Sequence, residues 1–179
     1  MRAAFCIAPG TIAVREVSWP TVSPGEVVVR VHACGLCGSD LHYYKGAAPP
    51  PAVCLGHEIC GEVVDGSELA GTPVVVEPLL ACGTCTRCRA GEPNLCPRLR
   101  ILGSSAPGGL ADAVAVPRSC VYPVPERLDL DTAMLAEPLA VGVHAATGVN
   151  GEAHKLGPGR NACSRLLRAI VFSWRYVRC

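Results

Sequence analysis

Apolar residues in the first 125 positions fall in short runs cut by Gly and Pro, the texture of a chain built from brief strands. Gly25-Glu-Val-Val-Val-Arg-Val-His-Ala33 follows a Ser-Pro-Gly turn and predicts a strand. Ile59 to Val64, Pro73 to Glu77, Leu110 to Val116 and Cys120 to Val124 predict others. Many short strands with turn punctuation predict a barrel or partly open all-β core with few short helices. One such helix is expected over Asp40 to Tyr44, with Ser39 as its cap. From Asp129 the pattern becomes rich in Ala and Leu, as a helix would be, and Asp131 or Thr132 is the expected N-cap. Pro138 is expected to split that helix and leave Glu137 at the junction.

Two stretches depart from this texture. Residues 79–101 are too polar and too rich in Gly and Pro to pack alone, and they hold four cysteines. After Glu152 no acidic residue occurs, while Lys155, Arg160, Arg165, Arg168, Arg175 and Arg178 are basic. Leu166, Leu167, Ile170, Val171 and Trp174 fall near one face of a hypothetical helix in this tail, which would suit partner docking. The domain reading is therefore 1–147 for one unit, with a lobe at 79–101, and 148–179 as an atypical tail.

Composition narrows the picture. The chain has 179 residues, room for one real core, and only 4% are aromatic, so Val, Ala and Leu must build that core. A net charge of +1 gives no electrostatic case for nucleic acid or a membrane surface. Apolar runs are too short to span a bilayer, and the N-terminus lacks the apolar length of a signal peptide, so a cytoplasmic protein is expected. Twelve cysteines could form a disulfide framework, but the tight C-x2-C spacing and absent secretion signal favour metal binding.

The candidate chemistry lies in two groups. Cys82, Cys85, Cys88 and Cys96 form a C-x2-C-x2-C-x7-C run that can close a tetrahedron of thiolates around one Zn²⁺, a structural site. Cys37, His57 and Glu58 offer mixed S, N and O donors from separated segments, which suits a catalytic zinc with one open position. The other cysteines (Cys6, Cys34, Cys54, Cys60, Cys120, Cys163 and Cys179) read as small buried hydrophobes or incidental thiols. His32 and His154 match no motif, and His144 reads as packing.

Five motifs occur in one order: Cys37-Gly-Ser-Asp-Leu-His42, Gly56-His-Glu58, the Cys82–Cys96 run, Gly108-Gly-Leu-Ala-Asp112 and Glu137-Pro-Leu-Ala-Val-Gly-Val-His144. Across residues 1–147 the chain resembles the catalytic domain of zinc-dependent medium-chain alcohol/polyol dehydrogenases. That resemblance implies a GroES-like, partly open β-barrel carrying a zinc-binding lobe. It implies one catalytic and one structural Zn²⁺, a small alcohol or polyol substrate, and subunit contacts of a homo-oligomer as a further expectation. Cys37 and His57 match catalytic zinc ligands, while Glu58 and Glu137 compete for the third position. A Glu at position 137 sides with the sorbitol and threonine dehydrogenase branch, where other members carry Cys. Ser39 and His42 match a proton relay out of a dry site, and Asp40 matches the partner that orients a ligating imidazole, His57. The bland readings stay open: Ser39 as a plain cap, His42 as an exposed helix residue, and Glu137 and Glu58 as ordinary carboxylates.

The reaction of that family also needs NAD(P), held by a Rossmann domain with G-x-G-x-x-G/A after a strand and an acidic residue about 20 positions on. Gly157-Pro-Gly-Arg-Asn-Ala162 has the letters without the strand or the acid and reads as a chance match. The Rossmann domain is thus expected to be absent and the chain inactive by itself. A stand-alone domain, a truncated product and a frame shift all fit, and the acid-free tail favours the last two. A non-enzymatic zinc-binding interaction module is the rival. The loop from Asp65 to Val74 is shorter than in the resembling family and reads as a trimmed surface loop.

Overall fold

A computed structural model describes residues 1–65 and 67–149. The tail features named above, including the 157–162 match, lie outside the described residues. The chain opens with a hairpin of β1 (Arg2–Ala8) and β2 (Thr11–Glu16). Strand β3 (Glu26–Gly35) runs into helix α1 (Gly38–Tyr44), and β4 (Glu58–Asp65) and β5 (Pro73–Val76) follow. A small ladder of β6 (Leu79–Leu80) with β7 (Arg100–Ile101) closes the neck of a loop that contains α2 (Thr86–Arg89). Strands β8 (Ala113–Pro117) and β9 (Val121–Pro123) complete the sheets, and α3 (Leu130–Ala133) and α4 (Ala136–Val149) come last.

The main sheet is antiparallel with strand order β8-β3-β4-β5-β9. The hairpin joins it through the Ala3–Ala111 bridge, and the sheets stay open, as a partly open barrel requires. Alternation along the strands sends successive residues to two cores. Val74 and Val76 pack with Val27, Val29, Ile59, Val63, Val114 and Val116. Val75 faces the other way, toward Cys60, Tyr122 and the Ala133, Ala136 and Ala140 faces of α3 and α4. Small alanines at i and i+4 let α4 lie close on the sheet. The low aromatic content is met by this Val and Ala packing.

The strand expectations hold to within a few residues, with one exception. Leu110 precedes β8 instead of opening it, and its N–H donates to Leu55 O at 2.9 Å. The caps differ more. Cys37, not Ser39, caps α1, because the Asp40 carboxylate three residues on takes the Cys37 N–H. Asp129, not Asp131 or Thr132, caps α3, its Oδ1 accepting from Thr132 N at 2.7 Å. Pro138 does not split a helix. The break lies earlier, between α3 and α4, and Pro138 sits in the first turn of α4, where its missing N–H would have no helical acceptor. Glu137 therefore occupies the positively polarised first turn. Among the described residues no helix is long and apolar enough to cross a membrane.

Candidate functional site

Strand pairing brings the mixed-donor trio together. Gly35, the last residue of β3, pairs with Glu58, the first of β4, so the chain entering α1 and the chain entering β4 lie side by side. Cys37 and His57 flank that pair, and one donor atom each from Cys37, His57 and Glu58 falls within 4.8 Å of the others. Gly56 turns the chain into His57 with φ of 93°, a conformation that favours glycine. An added Cβ there would approach Cys34 Sγ to 2.6 Å and the Leu110 backbone N to 2.8 Å. The Gly108–Leu110 segment braces this turn, with Gly109 N donating to Gly56 O at 2.9 Å and Leu110 N to Leu55 O. The Gly108-Gly-Leu motif is thus a backbone support for His57.

Asp40 is 3% exposed, and its Oδ2 accepts from Cys37 N at 3.0 Å. No hydrogen bond joins it to His57, and its Oδ1 is buried with no partner. The observed contact is therefore with the thiol-bearing residue and not with the imidazole expected from sequence. Ser39 and His42 stand exposed on α1. Glu137 lies outside the trio, yet burial first, and the negative charge of Glu58 second, push its carboxyl up to about 7. That places Glu137 within electrostatic reach of the trio. Cys34 belongs to neither donor group, and burial first, then the charge of Asp40, push its thiol up to about 12. His32 is not idle, since its Nε2 lies 2.8 Å from Asp131 Oδ1 and ties β3 to α3.

The second group lies in the loop between β6 and β7. Sulfur separations are 3.9 Å for Cys82–Cys88, 3.4 Å for Cys85–Cys88 and 3.9 Å for Cys85–Cys96. A tetrahedron with Zn–S bonds of 2.3 Å has edges of about 3.8 Å, so the residues present fit a Zn(Cys)₄ centre. Cys85 caps α2, its sulfur accepting from Cys88 N at 3.4 Å. Cys96 Sγ accepts from Cys82 N at 3.5 Å and Arg98 N at 3.4 Å. Such N–H donors stabilise thiolate. Backbone donation, with that of Thr84 first, holds Cys82 down to about 5, and Cys85 is lowered mainly by the Cys88 N–H. Burial first, then its sulfur neighbours, push Cys88 up to about 12. Four like groups this close share their protons in the absence of a cation. The ten described cysteines are all free, so none of them belongs to a disulfide framework.

Two features escaped the sequence. Arg98 reaches Thr84 Oγ1 at 2.8 Å beside the sulfurs, a pairing set by the fold of the lobe. Leu135, Leu139 and Val143, spaced along one face, are 48%, 44% and 37% exposed. The Ala-rich run from 133 to 140 signals a helix, but only packing tells which side is covered.

Residues 23–126 match the alcohol dehydrogenase GroES-like domain. The sorbitol dehydrogenase of Arabidopsis thaliana is 33% identical over 187 aligned positions, covering 96% of this chain and 51% of that protein. The L-idonate 5-dehydrogenase of Vitis vinifera is 34% identical over 171, covering 89% and 45%. Among solved structures, an alcohol dehydrogenase from Escherichia coli CFT073 complexed with NADH superposes with a TM-score of 0.75 at 35% identity, covering 83% of this chain and 45% of that one. The chain spans about half the length of the curated relatives it matches. With its sheet order, mixed-donor trio and four-thiol lobe, the chain belongs to the zinc-type medium-chain alcohol/polyol dehydrogenase family, of which it carries the GroES-like domain.

Proposed function

We propose that this chain is the zinc-holding catalytic portion of an NAD(P)-dependent alcohol/polyol dehydrogenase that oxidises a secondary alcohol by hydride transfer. The carrying observation is the Cys37, His57 and Glu58 trio, with donor atoms within 4.8 Å, beside a separate closed set of four thiols. A purely structural module has no use for a second, mixed-donor site with an open position. The trio fits a zinc ion in donor chemistry and convergence, and zinc bound there supplies the Lewis acidity that lowers the pKa of an alcohol.

The chain's own residues divide the remaining work. Asp40 fixes Cys37 through its N–H, so the thiol arrives on a capped helix end rather than a loose loop. The Ser39 hydroxyl takes the alcohol proton, and His42, three residues along α1 and exposed, passes it to solvent. Glu137 acts from outside the trio, as a carboxylate near the metal ligands. The names of the relatives, sorbitol and idonate dehydrogenases, support a small polyol as substrate.

The hydride acceptor needs a dinucleotide site. Among the described residues every paired strand of a sheet is antiparallel, so none of them forms the parallel βαβ unit that holds a dinucleotide. The exposed Leu135, Leu139 and Val143 face of α3–α4 supports the packing of further protein there. The free thiols among the described residues suit a reducing, cytoplasmic setting. A chimera tests the reading: residues 1–147 joined to the nucleotide-binding half of the Arabidopsis sorbitol dehydrogenase. It should form NADH with a polyol, and Cys37→Ala should abolish this. A folded, zinc-loaded chimera silent with every polyol and simple alcohol tried would contradict the proposal.

A further inference from the structure

We infer that Gly35 is a positioning residue for the Glu58 carboxylate: the empty side-chain space at the end of β3 is the seat in which that carboxylate lies beside Cys37 and His57. The inference rests on reading the trio as a metal site. Gly35 and Glu58 are directly paired across β3 and β4, so their side chains would share one face. An added Cβ on Gly35 would overlap Glu58 Oε2 outright and stand 3.0 Å from its Cβ and 3.1 Å from its Cδ. All three nearest atoms belong to the one side chain. Glu58 therefore folds back over the Cα of Gly35.

Gly61 in β4 and Gly108 in the loop before β8 show the contrast. An added Cβ at Gly61 would meet the Arg30 carbonyl, and one at Gly108 would meet the Leu55 and Gly56 carbonyls. Those positions need glycine so that backbones can approach. Gly35 meets no backbone, only the Glu58 side chain: its movable carboxylate most severely and its Cβ at 3.0 Å. Its φ is not among the positive values, so alanine can adopt the backbone without strain. Alanine at 35 thus asks the paired strand to give by a few tenths of an ångström at the Glu58 Cβ and evicts the Glu58 carboxylate from the trio. A long, half-buried Glu side chain with three rotatable bonds would otherwise lose entropy to hold that pose. The neighbouring strand supplies the restraint.

The test loads the full chain with Co²⁺ and follows its visible bands in wild type, Gly35→Ala, Glu58→Ala and the double variant. The four-sulfur site serves as an internal reference. Gly35→Ala is expected to shift the bands of the mixed-donor site and weaken Co²⁺ there about tenfold or more. The four-sulfur bands and the thermal unfolding midpoint should stay as in wild type. Glu58→Ala should do the same, and adding Gly35→Ala to it should change nothing further. Wild-type bands and affinity in Gly35→Ala, with Glu58→Ala altered, overturn the inference and leave the trio reading standing. Unaltered bands in Glu58→Ala overturn the trio reading itself. A Gly35→Ala effect, or a loss of folding, that persists in the Glu58→Ala background shows that Gly35 serves the fold and also overturns the inference.

Discussion

The Asp40 carboxylate accepts the backbone N–H of Cys37 at 3.0 Å, so a buried charge holds the start of α1 on the residue that carries the thiol. Asp40→Ala leaves that N–H without its acceptor, a loss of about 1–3 kcal/mol in a part-buried setting. Urea unfolding should show a drop of that size, and metal analysis should show loss at the mixed-donor site with the lobe retained. Asp40→Asn keeps an acceptor oxygen and should cost less. Equal effects of the two would detach the role from this hydrogen bond.

Glu58 and Glu137 should separate by metal content. Glu58 stands inside the trio, whereas Glu137 lies outside it and feels the charge of Glu58. Glu58→Gln is expected to lose the zinc of the mixed-donor site. Glu137→Gln is expected to retain it, because removing a neighbouring negative charge leaves the donor set whole. The reverse ranking, measured on dialysed protein, would make Glu137 the ligand.

In the lobe, Arg98 places its N–H on Cys96 and its guanidinium on Thr84, next to Cys82. Arg98→Gln keeps the main-chain bond and removes the positive charge facing the thiolates. Zinc transfer to a chelator at fixed pH should accelerate about tenfold, the scale of outer contacts at metal sites. Arg100→Gln, on the ladder below, is the control and should leave the rate alone. Equal rates for both variants would remove Arg98 from the site.

The hairpin carries a pH-dependent tie. Asp112 accepts from Arg2 N at 2.7 Å and from the Arg2 guanidinium at 3.2 Å, and these donors, the backbone first, lower its carboxyl below the usual value. A depressed carboxyl stabilises the folded state above its unfolded pKa, and the gain fades as pH falls through the folded value. Asp112→Asn should therefore lower the unfolding midpoint of chelator-treated protein at pH 7. The gap from wild type should narrow below about pH 4. A constant gap would assign the effect to shape and not to charge.

Strands β3, β4 and β5 were legible because their Val-rich runs are bounded by Gly and Pro, and local pattern decides such elements. The four-cysteine lobe was legible for the same reason, since its ligands sit within one short segment. Cap positions were misread where two candidates stood close. Asp129 wins over Asp131 because its carboxylate reaches Thr132 N, which spacing alone does not reveal. The Gly35–Glu58 pairing and the Arg98–Thr84 contact join residues far apart in local sequence logic; strand register fixes the first and the fold of the lobe the second. Pro138 illustrates the converse error: a helix breaker is harmless in a first turn, and where that turn begins is set by α3 packing on the sheet.

Zinc content per folded chain, measured on wild type, Cys37→Ala, His57→Ala and Cys88→Ala, tests the central claim most directly. Two sites of different character imply two zinc ions in wild type. Each of Cys37→Ala and His57→Ala should hold one, with the lobe intact. Cys88→Ala should also lose one, and its lobe should become the first segment cut by protease. One zinc in wild type, unchanged by Cys37→Ala and His57→Ala, would contradict the account and leave the lobe as the chain's only metal centre.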